Sequence, residues 1–146
     1  MITASQFCTF YLDNQMYGVD VQSVQEVIRY QEMTDVPLAP DSVVGLINLR
    51  GQIVTAIDLR TRLGLANRPE GQLPMNVVVQ SDDGAISLLV DQIGDVQEID
   101  TDNFESLPET LQGISRTMIR GAYKMKNHLL LILDTERAMN VTANYD

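Results

Sequence analysis

The stretch Val44 to Leu63, VGLINLRGQIVTAIDLRTRL, sets two apolar runs on either side of Arg50-Gly51 and closes with an aspartate ahead of a short charged segment. Leu46, Ile47 and Leu49 lead in and Ile53, Val54, Ala56 and Ile57 lead out, so the stretch predicts two strands joined at a glycine free to take positive φ. Asp58 is placed to cap the helix LRTRL by accepting backbone N–H bonds. Arg50 then sits beside a tight turn on a rigid scaffold, an unusual place for a solvated charge.

The pattern occurs twice. Gly45 to Gly64 match Gly121 to Asn140 without a gap: Gly45 falls on Gly121, Asp58 on Asp134, and Ile53, Val54, Ala56 and Ile57 on Leu129, Leu130, Ile132 and Leu133. Upstream, Asp20 to Val27 (DVQSVQEV) resembles Asp91 to Ile99 (DQIGDVQEI) with one residue inserted. Two matches in the same order predict two similar halves, and an offset near half the chain suggests subdomains rather than a solenoid.

The remaining elements read outward from these anchors. Phe7 to Leu12 alternates and turns at Asp13-Asn14 into Met16 to Val19, an opening hairpin. Asp20 caps one helical turn in which Val21 and Val24 share a face. Pro37 and Pro40 exclude regular helix from the loop that follows Tyr30. The stretch Ala66 to Pro74, rich in Pro, Gly, Asn and Gln, is the expected crossing between lobes. Asn76 to Gln80 and Ile86 to Val90 form a hairpin at Asp83-Gly84, and Asp100 to Leu107 holds a short capped turn. Pro108 to Ser115 reads as loop. Thr117 to Lys124 and His128 to Leu133 make the last hairpin around Asn127, a residue that tolerates the left-handed conformation. Short strands, close-spaced turns and brief helices predict an antiparallel all-β fold of two small barrels.

Composition narrows the function. The 146 residues can bury on the order of two thirds of their unfolded surface, enough for a real core. No apolar run approaches the roughly 20 residues of a membrane helix, and the start MITASQFCTFYL lacks the features of a secretory signal, so a cytoplasmic location is expected. Twenty acids against ten bases give a net charge of -10, with nine acids and no base between Asp82 and Glu109. Phosphate backbones would be repelled, so no nucleic-acid partner is expected. Solubility alone accounts for an acidic surface of this kind.

Catalytic machinery is not evident. Cys8, the one cysteine, falls on the apolar face of the first strand and reads as a buried thiol. His128, the one histidine, opens a run of leucines and reads as a strand residue. Acid pairs such as Asp82-Asp83 suit turns, and no glycine-rich phosphate loop, HExxH or calcium-loop pattern occurs. No catalytic residue, metal site or cofactor is expected. A small catalytic barrel would need a deep pocket joining Asp58, Arg60 and His128. What stability leaves unexplained is Arg50 beside its turn and the valines Val21 and Val24 next to Glu26, although periodicity alone also fits those valines as core.

The strings VGLINLRGQIVTAIDLR, LLLILDTERAM, YGVDVQSVQEV and LLVDQIGDVQEI resemble the CheW family of bacterial chemotaxis coupling proteins, from about Phe7 to Met139. The resemblance implies a single CheW-like domain over residues 1–146, made of two five-stranded SH3-like barrel lobes that exchange chain ends around a shared apolar interface. It implies a non-enzymatic scaffold linking the cytoplasmic tips of methyl-accepting chemotaxis receptors to the histidine kinase CheA at membrane-associated arrays, without insertion into the membrane. Carried over by position, Arg50 and Glu26 would be neighbours on the receptor-facing surface, and Val21, Val24 and Ile93 would line a groove for a receptor helical hairpin. An adaptor of another chemosensory pathway, such as pilus or twitching motility, is the alternative. Thr55 and Ser87 depart from the family pattern, which often has proline and glycine there, and Asn127 stands where glycine is frequent.

Overall fold

A computed structural model of the chain describes residues 4–82, 84–109, 111 and 113–141. Asp83, expected at a turn, lies outside them. The strands are β1 (Ala4–Leu12), β2 (Gln15–Asp20), β3 (Val24–Ile28), β4 (Val43–Leu49), β5 (Gln52–Asp58), β6 (Met75–Ser81), β7 (Gly84–Val90), β8 (Gln92–Asp100), β9 (Phe104–Glu105), β10 (Ile119–Lys124) and β11 (Leu129–Leu133). The α-helices are α1 (Leu59–Arg62), α2 (Ile114–Met118) and α3 (Thr135–Met139), with 3-10 turns at Val21–Ser23 and Thr101–Asn103. All-β architecture is thus as expected. The helix α2 replaces part of a predicted loop and strand start; it spans five residues and has no side-chain cap at Gly113, so it leaves no periodic signal in the sequence.

The strands form two sheets, ordered β8-β1-β2-β11-β10-β9 and β3-β6-β7-β5-β4. Each mixes the halves of the chain: the opening hairpin pairs with the closing one through β2 and β11, and β5 pairs with β7. Both of these joints are parallel, a departure from the expected wholly antiparallel barrels. No hairpin fixes their direction, because each brings together strands distant in sequence. The chain moves between sheets at Asp20, leaving β2, and at Asp91, leaving β7. Residues 63–74 instead connect α1 to β6 of the same sheet, so the crossing is not at the flexible-looking 66–74 stretch.

Both sheets curl. Strands β8 and β9 lie at opposite edges of one sheet but are separated by only Thr101–Asn103. Laid flat, those edges would stand roughly 24 Å apart at the usual strand spacing, whereas such a link spans at most about 14 Å. The other sheet bends likewise: Thr34, beyond β3, exchanges backbone hydrogen bonds of 2.9 and 2.8 Å with Leu46 of β4, the opposite edge. Among the described residues no ladder joins β8 to β9, so the curl stops short of a closed barrel.

The repeat read from the sequence has a structural counterpart. In the β4–β5 hairpin the register shifts between Val43 and Gly45, opposite Ile57 and Ala56. In the β10–β11 hairpin it shifts between Ile119 and Gly121, opposite Leu133 and Ile132, the positions the alignment equates. Gly45 is needed because a Cβ there would lie 2.7 Å from the Thr34 carbonyl oxygen, and one at Gly121 would strike the Phe104 ring. The closing contacts match too, with Thr34 facing Leu46 and Glu105 facing Ala122. The residue inserted in the second copy appears as a bulge around Gly94-Asp95, where the Thr9 hydroxyl donates to the Asp95 carbonyl at 2.5 Å.

Alternate residues of the paired hairpins serve two interiors, as the period of two requires. Ile57 and Leu133 point into one large core that also holds Phe10, Tyr17, Val77 and Leu88 from both sheets. Ala56 packs with Ile47 and Leu89 inside one curl, and Leu130 and Ile132 with Phe7, Met16 and Ile99 inside the other. Ser87 fits this interior by donating to Asn76 Oδ1 at 2.7 Å, while the Asn76 amide donates to the Arg29 carbonyl at 2.9 Å.

Candidate functional site

The β4–β5 turn is built on two left-handed residues, Arg50 at φ 51° and Gly51 at φ 84°, between the paired Leu49 and Gln52. This is the primed turn whose twist suits a two-residue hairpin. Gly51 was the expected left-handed residue; Arg50 adopting that conformation is new information from the structure. The Gly51 N–H donates to Asn48 Oδ1 at 2.9 Å, which steadies the turn. Across the curl, Arg50 Nη2 donates to Glu26 Oε2 of β3. The Arg50 side chain is 73% exposed and that of Glu26 20%, so the carboxylate is the seated member and the guanidinium stays open to a partner.

Val21 is half-buried in the 3-10 turn that Asp20 caps by accepting from the Gln22 N–H at 2.9 Å. Val24 and Ile93 are also half-buried, and both pack against the large shared core. The structure therefore brings Arg50 and Glu26 together and sets Val24 and Ile93 at the rim of the core, with Val21 half-buried in the adjoining turn. A hollow of about 560 Å³ runs from Ser23, between the two valines, past Gln80 and Ile86 of the β6–β7 hairpin to Glu136 and Met139 of α3. Val21, Val24 and Ile93 are not among its lining residues, and most of its walls are polar. The exposed Val27 on the same strand as Glu26 was not singled out in the sequence; its place in the repeated VQEV string was the available signal.

A second charged cluster went unread in the sequence. Buried Arg60 donates from Nε (2.9 Å) and Nη2 (2.5 Å) to the two carboxylate oxygens of buried Asp91. Arg68 Nε donates to Asp91 Oδ1 at 2.9 Å and the Asp13 N–H to Asp91 Oδ2 at 2.8 Å. Arg68 also reaches Asp58, whose Oδ1 caps α1 by accepting from the Arg60 N–H at 3.0 Å. Burial works against ionisation of Asp91, but the bonds from Arg60, Asp13 and Arg68, with the Arg60 charge, outweigh it and hold the carboxyl at about 2. Every strong donor here is already engaged, so the cluster is a fastening between the β1–β2 turn, α1 and the start of β8.

Among the described residues, Arg60 lines one hollow with Tyr11, Asp13 and Asp91, while His128 lines a different one with Glu105 and Lys124. Cys8 is half-buried, and burial, then the Asp20 charge, push its thiol pKa up, away from a reactive thiolate. Among the described residues no cluster of His, Cys, Asp and Glu is set to hold a metal, and no helix is long and apolar enough to cross a membrane.

Two curled sheets around a shared core, with an open cation on a rigid hairpin, define a protein that presents a surface. The family model described as the CheW-like domain matches residues 6–143, and the chain belongs to that family. It is 29% identical over 136 residues to the chemotaxis protein CheW of Treponema pallidum (strain Nichols), covering 90% of this chain and 80% of that one. It is 28% identical to the chemotaxis protein CheW of Bacillus subtilis (strain 168), covering 94% and 88%. The crystal structure of the scaffolding protein TtCheW from Thermoanaerobacter tengcongensis superposes with a TM-score of 0.78 at 28% identity, covering 89% of this chain and 88% of that one.

Proposed function

We propose that this chain is a non-enzymatic scaffold of chemotaxis, coupling the cytoplasmic tips of methyl-accepting receptors to the histidine kinase CheA at membrane-associated arrays. The observation that carries the reading is the open Arg50 guanidinium, held to Glu26 across the curl and fixed by a turn it would not adopt without constraint. Membership of the CheW-like family and likeness to a named scaffolding protein support the same reading. In it, Arg50 and Glu26 meet polar groups of a receptor helix, and Val21, Val24 and Ile93 give the adjoining apolar rim, a helix-in-groove contact. The charge selects register and orientation more than it supplies affinity.

The test is Arg50→Ala in an array reconstituted from receptor fragment, kinase and this chain. Receptor-dependent kinase activation is expected to fall on the order of tenfold, the loss of about 1.4 kcal/mol of coupling, with an unchanged circular dichroism spectrum. Unchanged kinase control with the fold intact would remove Arg50 from the contact.

A further inference from the structure

The repeat that places Arg50 at one hairpin tip places Lys126 at the matching position of the β10–β11 hairpin, with Asn127 matching Gly51. The two tips differ in how they are neutralised. Glu26 answers Arg50, but its counterpart in the second copy, Glu98, forms no ion pair with Lys126. Asn127, expected to take the left-handed conformation, does not, so this turn differs from the primed turn at Arg50-Gly51. Between Glu109 and Asp134 the chain has no acid at all, whereas Arg116, Arg120, Lys124 and Lys126 fall within that interval.

Arg120, Lys124, Lys126 and His128 are exposed, and among the described residues Arg120, Lys124 and Lys126 lie within ion-pair distance of no carboxylate. Lys124, Lys126 and His128 share an open hollow of about 620 Å³ whose single acid is Glu105. Unanswered cations on one hairpin are conspicuous in a chain of net charge -10, because any of its twenty acids could have been placed to meet them.

We propose that the β10–β11 hairpin is a second docking point, which takes an acidic segment of a protein partner across Lys124 and Lys126. Charge complementarity selects the ligand, and the neighbouring charges select its shape. Asp102 and Glu105 are exposed on the segment packed beside β10. A planar anionic bilayer meeting the hairpin would come within a Debye length, about 8 Å, of those carboxylates. A narrow acidic peptide in the lysines' hollow meets only Glu105, the one acid among its walls.

The test uses the full chain and a fluorescein-labelled peptide of glutamates interspersed with glycine, with a glutamine peptide as the neutral control, followed by anisotropy at about 50 mM salt. The acidic peptide is expected to bind, the glutamine peptide not to, and Lys124→Gln with Lys126→Gln to weaken binding by at least about tenfold. Arg29→Gln, which removes an exposed cation just beyond β3 of the other sheet, is expected to leave that affinity unchanged. The idea is overturned if the double variant binds the acidic peptide as well as the original chain does. It is equally overturned if the peptide fails to bind while vesicles with about 30% phosphatidylserine sediment the chain, or if the lysines prove to hold two copies together in size-exclusion chromatography. Circular dichroism of the double variant guards against unfolding, and both substitutions lie on exposed side chains.

Discussion

The left-handed backbone of Arg50 costs an L-residue roughly 1–2 kcal/mol, and asparagine adopts it more readily. The ion pair to Glu26 offsets little of this, since a pair with so exposed a guanidinium contributes about 0–1 kcal/mol. The turn would therefore be at least as stable without the arginine, and strain of this kind concentrates where a side chain serves recognition. Arg50→Asn is expected to leave the unfolding free energy from denaturant titration within about 0.5 kcal/mol of the original or raise it, while receptor-dependent kinase activation falls as for Arg50→Ala. A stability loss above about 1 kcal/mol would show that the Glu26 pair, and not recognition, keeps the arginine there.

Gly45 carries the clearest consequence among the elements. A methyl group there would press on the Thr34 carbonyl, a backbone atom held by two hydrogen bonds to Leu46 and unable to swing aside. Gly45→Ala is expected to destabilise the chain by about 1–3 kcal/mol, the range for overpacking, read as a lowered denaturant midpoint with an unchanged slope. No measurable loss would mean that the Thr34 contact opens freely. The hairpins, the caps at Asp20 and Asp58 and the twofold repeat were legible because each rests on local chemistry: alternation, a turn residue, a carboxylate ahead of a short helix. The meeting of Arg50 with Glu26 came instead from family resemblance, since no local pattern joins residues across a curl. The crossing was misplaced because 66–74 has the composition of a linker, whereas the actual passages occur at Asp20 and Asp91 in the repeated strings. The Arg60–Asp91–Arg68 cluster stayed hidden because its members are far apart in sequence and each had a plausible surface role.

At the scale of the molecule, the question is what makes two curled sheets one body. Their apolar faces share a core, and Arg62 of α1 adds a polar tie by donating from Nη2 to the carbonyls of Arg137 (2.8 Å) and Asn140 (2.7 Å) around the end of α3. Asp91, at the passage from β7 to β8, is a second tie, bonded to the β1–β2 turn of one sheet and to α1 beside the other. Its carboxyl is held at about 2 against an ordinary 3.8. A depressed folded pKa means stability that is fully present above the unfolded value and is lost as pH falls through the folded one. The contribution, about 2 kcal/mol, is therefore constant at neutral pH and disappears between about pH 4 and pH 2. Asp91→Asn removes the charge and leaves Arg60 buried without its counterion, which costs roughly 3–5 kcal/mol at pH 7. Denaturant unfolding at pH 7 and at about pH 2 should show the gap between the original chain and the variant narrowing by roughly 2 kcal/mol in acid. A gap of equal size at both pH values would show that Asp91 acts by shape and hydrogen bonding alone, and that its charge does not help fasten the two sheets.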